Sequence, residues 1–191
     1  MANGTALSVG PAHLDDHAFL VAANQAMAWE TEHKRLDPER INPGVMAALT
    51  DPAKGRYLVA RQQGRPVACL LVTFEWSDWR NGLFWWIQSV YVIPEARRIG
   101  AFRALYRAVE AQAQAEGACG LRLYVENDND RAMQTYRSLG MDECRYRMFA
   151  LWIRAQGAGL RGQGGYLQAG APEMQASVFD NGPNSPARGI L

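Results

Sequence analysis

The sequence predicts a mixed α/β fold, a central mixed sheet flanked by helices. Three observations lead to it. Apolar runs rich in β-branched and aromatic residues, punctuated by hairpin signals, fill residues 57–92. A strand–turn–helix passage then spans residues 88–103, and a further strand and helix follow within residues 121–140. The resulting order, βαα-βββ-αβ-αβ, suits a layered α/β domain.

Each element has its own warrant. A short strand opens the chain over residues 6–9. Asp15 or Asp16 caps a helix through Phe19, Leu20, Ala23, Met27 and Glu30, whose apolar positions three and four apart give it one buried face. Glu30 and Glu32 fall near its end, where carboxylates oppose the helix dipole. Pro38, Pro43 and Gly44 break up the next segment and leave a second short helix over residues 45–49. Residues 57–61 and 66–74 flank Gln62-Gln63-Gly64-Arg65, a hairpin signal, and Asn81-Gly82 turns the chain into a strand over residues 83–92. Pro94, which has no N–H to give a ladder, marks the exit of that strand.

Phe102, Leu105 and Val109 then make an apolar helical stripe, with Arg103, Arg107 and Glu110 toward water. Gly117 and Gly120 end that helix, and residues 121–125 alternate as a half-buried strand does, Tyr124 facing either way. A helix over residues 130–139 closes at Gly140, a left-handed cap, and residues 146–153 supply the last strand. The domain thus covers residues 1–154. In residues 155–191, Gly, Pro, Ala, Gln, Ser and Asn dominate and no apolar period survives, the pattern of a flexible tail.

Composition narrows the class of function. A chain of 191 residues with 48% apolar and 20% charged residues has room for a substantial core. A net charge of +1 gives no general pull toward nucleic acid or an anionic membrane. No apolar run approaches the length of a bilayer span, and no basic region followed by an apolar run stands at the start. Cys69, Cys119 and Cys144 are odd in number, scattered and without metal-ligand spacing. They read as reduced, mostly buried thiols of a cytoplasmic protein, with no metal site.

The chemistry concentrates in residues 88–103. The helix that opens near Gly100 has N–H groups without internal partners and a positive dipole end, so the turn from Arg97 to Arg103 attracts phosphate. Gly100 lets a ligand approach the backbone, having no Cβ. Arg97-Arg98-Ile99-Gly100-Ala101-Phe102 resembles the Arg-x-x-Gly-x-Gly/Ala pyrophosphate loop of the GNAT superfamily, the acetyl-CoA-dependent N-acetyltransferases. Asn129-x-x-Ala132-x-x-x-Tyr136-x-x-x-Gly140 resembles that superfamily's second signature, in the expected order. The resemblance covers roughly residues 7–152. Phe102 stands where the family usually has a small residue.

The resemblance implies a GNAT fold and acetyl-CoA as co-substrate, held by Arg97, Arg98, Ile99, Gly100, Ala101, Phe102 and Arg103. It further implies that Val90, Tyr91 and Val92 offer backbone groups to the pantetheine arm, and that a homodimer is a reasonable assembly. Asn129 is a helix cap, a cofactor contact, or both. Tyr136 lies on the face of Ala132 and is the candidate general acid, a phenol near pKa ~10 being a proton donor at neutral pH; a core tyrosine is the structural alternative.

A base must free the amine, since an alkylammonium titrates near pKa ~10. Many members of the family carry a carboxylate on the strand where this chain has Gln88, which orients substrate or water but accepts no proton. That turns attention to Glu75, then to Glu30. Trp76, Trp79, Trp85 and Trp86 either pack the sheet or wall the acceptor site, with Trp85 and Trp86 on opposite faces of a regular strand.

The expectation is direct acetyl transfer, in a ternary complex, to a small primary amine: a polyamine, a diamine or an amino-acid-like compound. Substrate contacts fall to Glu30, Trp76 and Gln88. Two rivals stand beside it. One is a non-catalytic acyl-CoA-binding or regulatory module. The other is a nucleotide-phosphate binder, for which the Gly-x-x-x-x-Gly-Lys-Ser/Thr loop is missing.

Overall fold

The computed structural model describes residues 6–151. Strands β1 (Leu7–Pro11), β2 (Arg56–Gln62), β3 (Arg65–Ser77), β4 (Gly82–Val92) and β5 (Gly120–Leu123) form one sheet in sequence order. The first four pair antiparallel and β5 runs parallel to β4. Helices α1 (His17–Glu32) and α2 (Pro38–Thr50) lie between β1 and β2, α3 (Ala101–Ala115) between β4 and β5, and α4 (Asp130–Ser138) after β5. This is the mixed sheet flanked by helices that the sequence predicts.

Both hairpins form at the predicted turn residues. Gln63 and Gly64 take φ of 52° and 78°, and Asn81 takes 47°, the left-handed values that match a tight turn to the twist of its strands.

The two faces of the sheet are covered differently. Leu58, Ala60, Leu70, Val72, Trp85 and Ile87 pack against Leu105, Tyr106 and Val109 of α3 in one core cluster. On the opposite face Tyr57, Val59 and Cys69 pack against Leu20 and Ala23 of α1 and Val45 of α2, with Leu71 and Tyr91 at the edge. Trp85 is 2% exposed, and burying so large a ring anchors the α3 side. Trp85 and Trp86 do face opposite ways.

Four local expectations are corrected. The second helix spans Pro38–Thr50 rather than residues 45–49. Its first proline opens it, where a missing N–H is no loss, and Asp37 caps it by accepting from Glu39 N at 3.0 Å. Pro43 is tolerated inside, where Asn42 Nδ2 donates to Pro38 O at 2.8 Å.

Asp16 precedes α1 but its side chain does not cap that helix: Arg61 donates to both carboxylate oxygens at 2.9 and 2.7 Å, and His13 N, at the start of the short 3-10 turn over Leu14–Asp16, donates at 2.7 Å. The fifth strand stops at Leu123, short of Val125, because its partner bulges.

The chain divides into two units, Met1–Met141 and Asp142–Leu191. Within the second, residues 142–151 contain no strand, so the last strand expected over residues 146–153 is absent as far as residue 151. Gly140, at φ +90°, does close α4. Residues 152–154 and the tail expected over residues 155–191 lie outside the described residues.

Candidate active site

The site is organised by one extra residue in β4. Leu71 pairs with Ser89 while Val72 pairs with Ile87, so Gln88 is a bulge with no partner on β3. A bulge bends its strand and re-aims it. On the other side, pairing between β4 and β5 ends at the Ile87–Leu123 rung. From Gln88 to Val92, β4 therefore presents backbone with no strand on its β5 side among the described residues. Val90, Tyr91 and Val92, expected to meet an extended ligand through their backbone, lie on this open edge.

The helix mouth follows directly. Gly100, at φ +90°, is the N-cap of α3, and no side chain caps the helix there. The first intrahelical bond runs from Ala104 N to Gly100 O. The N–H groups of Gly100, Ala101, Phe102 and Arg103 thus have no acceptor in the helix. A Cβ built on Gly100 meets nothing within 4 Å, so the space in front of the helix is open. Arg98 is also left-handed, at φ 69°, and Arg98, Ile99 and Arg103 are exposed. Together these features leave unpaired N–H groups and exposed arginines at one helix mouth, a geometry that suits an anion.

Arg97 behaves differently from its neighbours. Its Nε donates to Val92 O at 3.1 Å and its terminal nitrogen to Glu30 Oε2 at 2.6 Å. Tyr91 Oη donates to the other Glu30 oxygen at 3.0 Å. Burial, then the adjacent Glu30 carboxylate, pushes the Tyr91 phenol above its ordinary value. Glu30, at the unfavourable end of α1, is thereby compensated, and it ties α1 to the start of the phosphate loop. Its carboxylate is engaged by loop and strand.

Tyr136 lies beside that loop. Its ring meets Phe102 edge-on, with centroids 5.8 Å apart and planes at 69°. Half-buried in this contact, its phenol is pushed above the ordinary tyrosine range by desolvation and so stays protonated. Asn129 caps α4, its Oδ1 accepting from Ala132 N at 3.1 Å.

The opposite face of the gap carries charge. Thr73 pairs with Trp86, Glu75 with Phe84, and Trp86 with Arg122, so these side chains share one face. Glu75 Oε1 accepts from Arg122 at 2.6 Å, and its Oε2 accepts from the Trp86 indole N–H at 2.5 Å. The Arg122 guanidinium lies 3.6 Å from the Phe84 ring centroid. Trp86 and Tyr124 rings stand 4.8 Å apart, and Gln88 Nε2 donates to Thr73 Oγ1 at 2.8 Å.

Trp76 pairs with Leu83 and alternates away from Glu75, so it does not join this group. The aromatic wall near Glu75 is Trp86 with Tyr124. Arg122 and Tyr124 went unremarked in the sequence as site residues. Their signal was the apolar–polar alternation of residues 121–125, which sends both away from the α3 core.

A separate hollow of about 550 Å³, lined by Gln25, Trp29, Arg35, Leu36 and Pro38, contains none of the expected residues. Cys69 is buried and its thiol is pushed up to about 12 by desolvation, which leaves it inert as a nucleophile.

A mixed sheet opened at a bulge, with an uncapped helix N-terminus beside it, is the arrangement of a ligand-binding α/β domain. Residues 16–141 match the acetyltransferase (GNAT) family, and the chain belongs to that family. It is 32% identical over 143 residues to a mycothiol acetyltransferase of Gordonia bronchialis, covering 75% of this chain and 44% of that protein. A mycothiol acetyltransferase of Corynebacterium aurimucosum is 32% identical over 120 residues, covering 61% and 40%. The chain spans less than half the length of each of these relatives. A possible acetyltransferase from Clostridium difficile 630 has 42% sequence identity and a TM-score of 0.74, covering 78% of this chain and 99% of that one.

Proposed function

We propose that this protein moves an acetyl group from acetyl-CoA to the nitrogen of a small primary amine, with both bound at once. The observation that carries this reading is the open half of β4. An anion-binding helix mouth lies on the side of the loop, and a carboxylate–arginine–indole face borders the same gap.

Acetyl-CoA supplies the acetyl group as an activated thioester. Its diphosphate suits the free N–H groups of residues 100–103, with Arg98 and Arg103 as counter-charges and Arg97 held in place by Glu30. The open edge of β4 offers N–H groups to polarise a carbonyl.

Tyr136 Oη, protonated at neutral pH, donates to the departing sulfur. Glu75 takes the proton of the incoming ammonium through lone pairs left over from its bonds to Arg122 and Trp86. Such a base is worth ~10²–10⁴ in rate. Gln88, on the bulge, orients the amine. Three free cysteines support a reducing, cytoplasmic setting.

The experiment is a panel of primary amines with acetyl-CoA, reading released thiol and the mass of the product. Glu75→Gln is the companion: turnover and pH profile unchanged would exclude it as the base. The engagement of both Glu75 oxygens and the presence of Gln88 favour a second reading, a non-catalytic acyl-CoA-binding module. Acetyl-CoA binding without acetylation of any amine would establish that one.

A further inference from the structure

We infer that the acceptor is an α-amino acid, an amine with a free carboxylate on the adjoining carbon, docked by the Glu75–Arg122 pair. The inference deepens the proposed transfer and rests on it.

Glu75 and Arg122 stand at the mouth of the gap. Arg122 pairs with Trp86, one rung before the last β4–β5 rung, and both side chains stay partly open, at 44% and 33% exposure. Among the described residues, the apolar packing beneath α1 and α2 stops short of this part of the face. The α1–α2 cluster reaches Cys69, Leu71 and Tyr91 but includes none of Thr73, Glu75 or Trp86. An ion pair exposed in this way contributes little stability, so folding alone does not account for it.

Its hydrogen-bonding capacity is also unspent. A carboxylate accepts at about four lone-pair positions and a guanidinium donates five N–H groups. Here Glu75 accepts from one nitrogen of Arg122 and from Trp86, leaving lone pairs on both oxygens. The Arg122 guanidinium carbon lies 3.6 Å from the Phe84 ring centroid, a contact that restrains the head group while its remaining N–H groups stay able to donate.

Charge and spacing select the ligand. A diamine or polyamine placed here meets the Arg122 cation as well as the Glu75 anion, and a simple anion meets the reverse. A zwitterion meets both in register. The two protein charges are in direct contact, N to O at 2.6 Å, so the ligand's ammonium and carboxylate must be equally close. Adjacent carbons satisfy that, whereas an ω-amino acid or a peptide N-terminus does not. The ammonium on Glu75 is then the group that loses its proton to that carboxylate, and the carboxylate on Arg122 fixes which amine faces the gap.

The test compares free α-amino acids with their methyl esters and with linear diamines, in the full chain with acetyl-CoA, reading kcat and KM separately. Free amino acids are expected to give kcat/KM roughly ten- to hundred-fold above their esters, the range of one charge-assisted bond. Arg122→Gln is expected to raise KM for the amino acid by a similar factor over and above any change for the ester, whose own shift reads the lost bond to Glu75, and Arg122→Lys to recover part of that difference. A merely structural Arg122 would shift all substrates together, which overturns the inference. Esters or diamines matching the free acids also overturn it while the acetyl transfer stands. Acetyl-CoA binding with no amine acetylated brings down the proposed transfer and this inference with it.

Discussion

Phe102 meets Tyr136 edge to face, ring centroids 5.8 Å apart, so the last residue of the phosphate loop braces the phenol of the second motif. A small residue there would remove that ring contact. The large side chain also touches Tyr106, 6.2 Å away. Phe102→Ala is expected to cost about 1–3 kcal/mol in denaturant unfolding, less than a fully buried phenylalanine, because the ring is half-buried. It should also lower kcat about tenfold, with KM for acetyl-CoA nearly unchanged, since backbone N–H groups remain. Phe102→Leu should recover most of the stability and less of the kcat.

Tyr136→Phe removes only the hydroxyl. If Oη protonates the leaving sulfur, kcat falls about 10²–10³-fold and acetyl-CoA affinity, read by calorimetry, stays. The sign of the pH effect follows from burial. Desolvation raises the phenol above its ordinary value, so it keeps its proton through neutral and mildly alkaline solution. The kcat profile of the native protein should therefore show no fall assignable to Tyr136 below about pH 10.

Much of this was legible because it rests on local rules. Gly64 and Asn81-Gly82 specified their hairpins, and Gly100 and Gly140 fell where φ is positive. What escaped rests on contacts distant in sequence. Asp16 reads as a cap, yet Arg61 takes its carboxylate across 45 positions. Glu30 reads as a carboxylate opposing the dipole at a helix end and as a substrate contact, yet Arg97 reaches it across 67. The bulge at Gln88 set both the length of β5 and the reach of the site, and no turn residue announces it. Pro43 misled, because propensity yielded to the packing of Val45, 1% exposed, beneath α2.

Gly100→Ala separates a conformational effect from a binding effect. At φ +90° alanine is strained by about 1–2 kcal/mol, although its Cβ would meet no protein atom within 4 Å. Gly64→Ala, at φ +78° and equally unobstructed, serves as the control in the β2–β3 turn. Both should lose comparable stability. Only Gly100→Ala should raise KM for acetyl-CoA, by tenfold or more, as its methyl stands before the N–H groups of α3. Equal KM values for the two variants would place the anion elsewhere.

The three thiols should separate by alkylation rate. Cys144 is exposed, Cys119 half-buried, and Cys69 buried with its thiol pushed up to about 12. At pH 8 iodoacetamide should modify Cys144 first and leave Cys69 untouched until denaturant is added. Peptide mass mapping over time reads the order. Activity surviving the loss of Cys144 and Cys119 thiols would agree with direct transfer.

The Asp16–Arg61 pair should set the acid limit of the fold. Burial alone would raise the Asp16 carboxyl, but hydrogen bonds from Arg61 and His13 N outweigh it and hold the group below its ordinary value. A carboxylate with a depressed folded-state pKa stabilises the protein above its unfolded value, near pH ~3.9, and loses that contribution as pH falls through the folded value. Asp16→Asn should therefore cost about 2–3 kcal/mol at pH 7, lowering Tm by roughly 5–10 °C, because Arg61 is left partly buried without its anion. The difference should persist at pH 6 and shrink below about pH 4. Thermal melts of both proteins across that range decide it, since a gap that does not narrow in acid would mean the loss comes from packing rather than charge.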